Sequence, residues 1–169
     1  WRCTFLTLDI FSKKGQVSLS DEQYAARWVE KNFSLRYIQT PKDSPAVIDA
    51  IITNKSSSRI LAVVETKCRY DVETLHQFQY NYKNEWLVTW SKVHNAINIA
   101  TSMGVPCVGF LYLVKPKALL MQRISEPDGK LATEVRLSTT STQATINGGR
   151  ALRTNAFIDM KQAAIHQVS

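Results

Sequence analysis

Ile60-Leu-Ala-Val-Val-Glu-Thr-Lys67 decides the fold. Its first five residues form an apolar run of buried-strand length, yet the run ends in a carboxylate and a lysine two residues apart. An ionised carboxylate in an apolar setting must neutralise or find a partner. A second carboxylate in a similar setting lies upstream, Asp49 inside Pro45-Ala-Val-Ile-Asp-Ala-Ile-Ile52. The segment between them, Asn54-Lys-Ser-Ser-Ser58, is polar and of hairpin length, which predicts antiparallel neighbouring strands over about 46–53 and 59–67.

A hairpin centred near Ser57 pairs positions whose numbers total 114, as 49 and 65 do. Asp49 then lies opposite Glu65 with Cβ atoms about 4.5–5.5 Å apart, and a total of 112 leaves them diagonal at about 7 Å. Strand alternation puts Glu65 and Lys67 on one face. An even total keeps Asp49 on that face and calls for Val47 and Ile51 to be buried beside it.

Like charges so close repel, and a divalent cation relieves the repulsion. Mg2+ or Mn2+ suits hard oxygen ligands and keeps coordination positions for water and a substrate phosphate. Lys67 beside it is placed to hold the attacking water and to stabilise charge developing on a phosphoryl oxygen. The bland alternative is an Asp49 at a strand end and a solvated Glu65–Lys67 pair on an edge strand.

Upstream, Ser20-Asp-Glu-Gln23 reads as a capping box opening a helix over about 20–33. Tyr24, Ala25, Trp28, Val29 and Phe33 fall on its apolar face, with Glu22 at the edge of that face. Leu35–Gln39 is a predicted strand, and Thr4–Phe11 reads as a strand or an N-terminal arm. Downstream, 72–103 reads as helix in two pieces, with Trp86, Trp90, Val93, His94 and Ile97 in a stripe and Gly104 as its stop. Val105–Val114 is an apolar strand able to return parallel to 59–67. Further on, 119–124 and 131–137 flank a turn at Glu126-Pro-Asp-Gly129, 138–145 is strand or loop, Asn147-Gly-Gly149 is a turn, and 157–168 reads as a closing helix.

A helix, a three-strand meander carrying Asp49 and then Glu65-Thr-Lys67, a helix and a strand resembles the PD-(D/E)xK nuclease superfamily, the restriction-endonuclease-like fold. The match spans about residues 20–114, and the residue before Asp49 is Ile48, so the eponymous Pro-Asp pair is absent. The resemblance implies an α/β fold with an αβββαβ core, a mixed sheet flanked by helices, and a C-terminal extension over 115–169, all in one domain. It implies a metal-dependent nuclease acting on DNA, with Asp49, Glu65 and the Thr66 carbonyl holding Mg2+ or Mn2+ and Lys67 assisting the water. Many members add a glutamate from the first helix, and helical phase makes Glu22 a better candidate than Glu30. The rival expectation is a catalytically inactive nucleic-acid-binding or protein-interaction module on the same scaffold.

Composition agrees with a globular domain: 169 residues, 44% hydrophobic and 21% charged. No apolar run approaches the ~20 residues of a spanning helix. The net charge of +7 favours a polyanionic partner, nucleic acid foremost. Three cysteines without CxxC spacing disfavour both a disulfide framework and a zinc cluster. With no signal-peptide pattern, the expectation is a reducing intracellular compartment, cytoplasmic or nuclear. A homodimer is left open. Arg69, Gln77 and Lys83, with His76 and Lys92, are candidate nucleic-acid contacts or solvated groups. His94 reads as a core histidine, and Cys68, pointing away from Lys67, as a packed thiol.

Overall fold

The computed structural model describes residues 13–41, 46–143 and 150–169. The segments 4–11 and 147–149 therefore lie outside the described residues. Helix α1, Lys13–Asn32, starts seven residues before the predicted capping box, so Ser20 sits inside it. The weakest helix former in the added turns, Gly15, costs about 1 kcal/mol and does not stop a helix. The apolar face is as predicted: Ala25 and Val29 are buried, with Tyr24, Trp28 and Phe33 packed around them.

Strands β1 (Leu35–Gln39), β2 (Ala50–Asn54) and β3 (Ile60–Arg69) form an antiparallel meander. The β2–β3 ladder pairs Ala50 with Val64, Ile51 with Val63 and Ile52 with Ala62, then shifts by one at Thr53, which pairs with Ile60. The Asn54 side-chain oxygen accepts from the Ser56 N–H (2.8 Å) and Ser57 N–H (3.3 Å), an Asx turn that closes the hairpin. β2 begins four residues later than expected, and Val47 is 55% exposed rather than buried. The Thr40 hydroxyl donates to the carbonyls of Ile48 (2.6 Å) and Asp49 (2.9 Å), and its backbone N–H to the Asp49 carbonyl (2.9 Å), so Thr40 holds the approach to β2.

The expected two-piece helix over 72–103 is overturned. It divides into α2 (Leu75–Tyr80), strand β4 (Glu85–Thr89) and α3 (Trp90–Ser102). Lys83 and Asn84 both take positive φ (54° and 55°), which ends the helical path, and Trp86 and Val88 are then buried alternately as on a strand. Gly104, at φ 65°, ends α3 as expected. β5 (Cys107–Leu113) runs parallel to β3, Glu65 pairing with Gly109.

The expected closing helix over 157–168 is also overturned. The chain continues as β6 (Ala118–Ser125), β7 (Val135–Gln143), β8 (Arg150–Asp159) and β9 (Ala164–Gln167). β7 starts only at Val135, and the residues just after the turn meet β6 through one isolated bridge, Ser125 to Leu131. The Glu126–Gly129 turn stands, with the Gly129 N–H on the Glu126 carbonyl at 3.0 Å.

The result is an α/β protein with a mixed six-stranded sheet, order β1-β2-β3-β5-β6-β9, and a three-stranded sheet, β4-β8-β7. One apolar cluster joins Val63 and Leu111 of the large sheet to α3 and to Trp86, Ala156 and Ile158 of the small one. The other lies between α1 and the opposite face, around Ala50, Val64 and Phe110. Among the described residues no helix is long and apolar enough to cross a membrane.

Candidate active site

β2 ends its ladder with Ala50 against Val64, so Asp49 and Glu65 come at the next step along the two chains, just outside the last paired residues of the hairpin. Asp49 lies in a bend rather than inside a strand. Its carboxylate Oδ2 accepts the Thr66 backbone N–H at 2.9 Å, which ties it across to β3. The N–H and C=O of one strand residue point to the same flank, so the Thr66 carbonyl faces the side on which Asp49 sits.

Glu65 is only 2% exposed. The Lys92 ammonium, from α3, lies 3.7 Å from its Oε1. Lys67 follows on the same face of β3: the residue is exposed, and its ammonium donates to the Leu87 carbonyl of β4 at 3.0 Å. Desolvation, then the positive charges of Arg69 and Lys92, lower its pKa from the ordinary lysine value; Glu65 and Asp71 act the other way.

The opposite face of β3 carries Thr66, whose hydroxyl shares a 2.7 Å hydrogen bond with the Tyr37 phenol. Burial first, and the charges of Asp49, Glu22 and Glu65 besides, push the Tyr37 pKa up against the effect of that bond. Three carboxylates from α1, the β2 approach and β3 thus bear on one buried phenol. Glu22 itself accepts from Gln39 Nε2 at 3.3 Å. Glu30 has a different task, accepting the Tyr37 backbone N–H at 2.8 Å and so holding β1 to α1. Among the described residues no group of three His, Cys, Asp or Glu side chains is arranged to hold a metal.

Of the other candidates, Arg69 lies beyond Lys67 on β3, bonded through Nε (3.0 Å) and Nη2 (2.6 Å) to the two oxygens of Asp71. It also lies 4.4 Å over the Tyr82 ring. Those hydrogen bonds hold the Asp71 carboxyl down at about 2. Gln77 is occupied locally: its Oε1 accepts the Glu73 N–H at 2.6 Å and its own N–H reaches the capping Thr74 hydroxyl. Lys83 is an exposed turn residue. His94 is exposed, not in the core, 3.4 Å from Asn98 Nδ2 and 5.4 Å from the Trp90 ring, because its side of α3 faces water while Val93 and Ile97 face the sheet. Cys68 is buried as expected.

Sequence reasoning did not single out Thr40, Tyr37 or the pairing of Lys92 with Glu65. Each depends on elements brought together from distant parts of the chain, and Lys92 was read as a phosphate contact or a solvated group, not as a partner of Glu65.

A cleft of about 850 Å³ opens beside Lys67, between the first turns of α1, the end of β3 and Leu87. Comparison with known protein families, with curated proteins and with solved structures finds no match to this chain.

Proposed function

We propose that the chain is a metal-dependent nuclease of restriction-endonuclease-like architecture that hydrolyses phosphodiester bonds of DNA. The observation that carries this reading is the step beyond the Ala50–Val64 pair, where Asp49 and a nearly fully buried Glu65 share one end of the hairpin with Lys67 on the same strand face. Two carboxylates on adjacent chain segments repel, and a cation held between them would relieve that repulsion.

The donor set suits a hard ion, since Asp49, Glu65 and the Thr66 carbonyl offer oxygen only. With two side-chain ligands, most coordination positions of such an ion would stay with water and substrate. A bound Mg2+ or Mn2+ would supply positive charge at the phosphoryl oxygens and lower the pKa of the attacking water. Lys67, held by the Leu87 carbonyl, orients that water and balances the charge that develops as the water oxygen bonds to phosphorus and the bond to the leaving sugar oxygen breaks. Glu22 stands on the α1 side as a further carboxylate for the water network.

Cleavage of DNA in Mg2+ or Mn2+ tests the reading. Wild type should cut and be silenced by chelator, Asp49→Asn should lose metal affinity and activity, and Lys67→Ala should keep metal affinity while losing activity. Cleavage that persists in excess chelator, or Lys67→Ala turning over at the wild-type rate, overturns it.

One observation favours a second reading. Lys92 already stands 3.7 Å from Glu65, so a binding module that keeps the scaffold could balance this charge without metal. Lys92→Met separates the two. In the nuclease, Mg2+ raises the melting temperature of this variant by more than that of wild type, because the ion and the ammonium compete to neutralise Glu65. In the module, Mg2+ rescues neither.

A further inference from the structure

Beyond the Ala50–Val64 pair the β2 ladder ends, so among the described residues Glu65–Arg69 is laddered only to β5, and on its other flank Asp49 reaches across to the Thr66 N–H. The cleft of about 850 Å³ lies at the end of this flank. Lys13 of α1, Lys67 and Arg69 supply its cations, and Val17, Leu87 and the Tyr70 ring make much of its wall apolar. The carboxylate in its lining, Asp71, is engaged by Arg69 and by the Tyr82 hydroxyl at 3.0 Å. Arg69 is thereby held in one orientation. Of the guanidinium's five N–H donors two go to Asp71, which leaves the others for an anion.

We propose that this cleft binds a single nucleic-acid strand, its phosphates on Arg69 and Lys13 and a base face against Leu87 and Val17, leading into the Asp49–Glu65–Lys67 centre. This names the substrate class of that centre and rests on the nuclease reading for its consequence, not for the binding itself. The size suits a nucleotide or two, since ligand pockets run to about 300–1,000 Å³. The apolar wall does the selecting. In a duplex the base faces are stacked and hidden and only groove edges remain, whereas a single strand offers each face for stacking and its backbone to a basic groove.

The test is binding of the full chain, in excess chelator, to short fluorescein-labelled oligonucleotides by anisotropy, with single-stranded DNA, single-stranded RNA and blunt DNA duplex as arms. Either single strand should bind at least about tenfold tighter than the duplex, and the tighter of the two assigns the sugar. Arg69→Ala and Leu87→Glu should each weaken single-strand binding by about tenfold. Lys13→Glu, an exposed change at a helix start that leaves the fold alone, should weaken it several-fold and reduce the salt slope by about 0.7, the loss of one phosphate contact. Equal binding of duplex, or wild-type binding by Lys13→Glu together with a folded Arg69→Ala, overturns the proposal. Single-strand binding without Mg2+-dependent cleavage would sink the nuclease reading and leave the cleft assignment standing.

Discussion

Lys67 carries opposing demands within one side chain. Its ammonium is tied to the Leu87 carbonyl, yet desolvation and the charges of Arg69 and Lys92 depress its pKa. A lysine whose folded pKa lies below its unfolded value destabilises the fold wherever it is protonated. That cost is full below the folded pKa and vanishes as pH rises to about 10.5, where the unfolded lysine also loses its proton. Lys67→Met keeps the stem and removes the charge. It should raise the melting temperature at pH 7 in chelator, with the gain fading toward pH 10.5, and on the proposed nuclease reading it should abolish cleavage. A lower melting temperature at pH 7 would show that the bond to Leu87 outweighs the cost of the charge. At this scale the site was legible where chemistry repeats within a few residues: Glu65 and Lys67 share a face by alternation alone. Tyr37, Thr40 and Lys92 were not, because nothing local marks a phenol, a hydroxyl or an amine as belonging to a distant carboxylate.

Among the elements, β5 shows how closely the site's support is packed. Gly109 pairs with Glu65, and a Cβ on it would stand 2.2 Å from Trp86 Cζ3 and 3.0 Å from Ile124 Cδ1. Trp86 is fully buried and has nowhere to go. Gly109→Ala should therefore cost about 1–3 kcal/mol by overpacking, read as a loss in denaturant midpoint at unchanged m-value. An unchanged midpoint would mean that β4 slides freely over the large sheet. The same contact explains the largest error of the sequence reading. Trp86, Trp90, Val93 and Ile97 recur at three- and four-residue spacing, which reads as helix, but Trp86 is on a strand. Its alternation with Leu87 and Val88 is too short to outvote the helical period, and the partner that makes it a strand, β8, pairs Trp86 with Ile158 some seventy residues on.

Across the whole molecule the two sheets share one apolar cluster, in which Ile158 of the small sheet is fully buried with Val63 and Leu111 of the large one. Ile158→Ala should cost about 2–5 kcal/mol. It should do so in a single transition, far-UV circular dichroism and tryptophan emission moving together. Separate transitions would mean that the small sheet folds as a unit of its own. The sequence by itself determined the hairpin and, by alternation, the face shared by Glu65 and Lys67. These follow from side-chain period and loop length, which act over a few residues. Only the tertiary structure decided that 85–89 and 164–167 are strands, that Lys92 meets Glu65, and that the flank beyond Val64 opens into a basic, apolar-walled cleft. A strand exists only by virtue of its partner, and a cleft only by virtue of what fails to cover it, so neither is written in any local stretch of the chain.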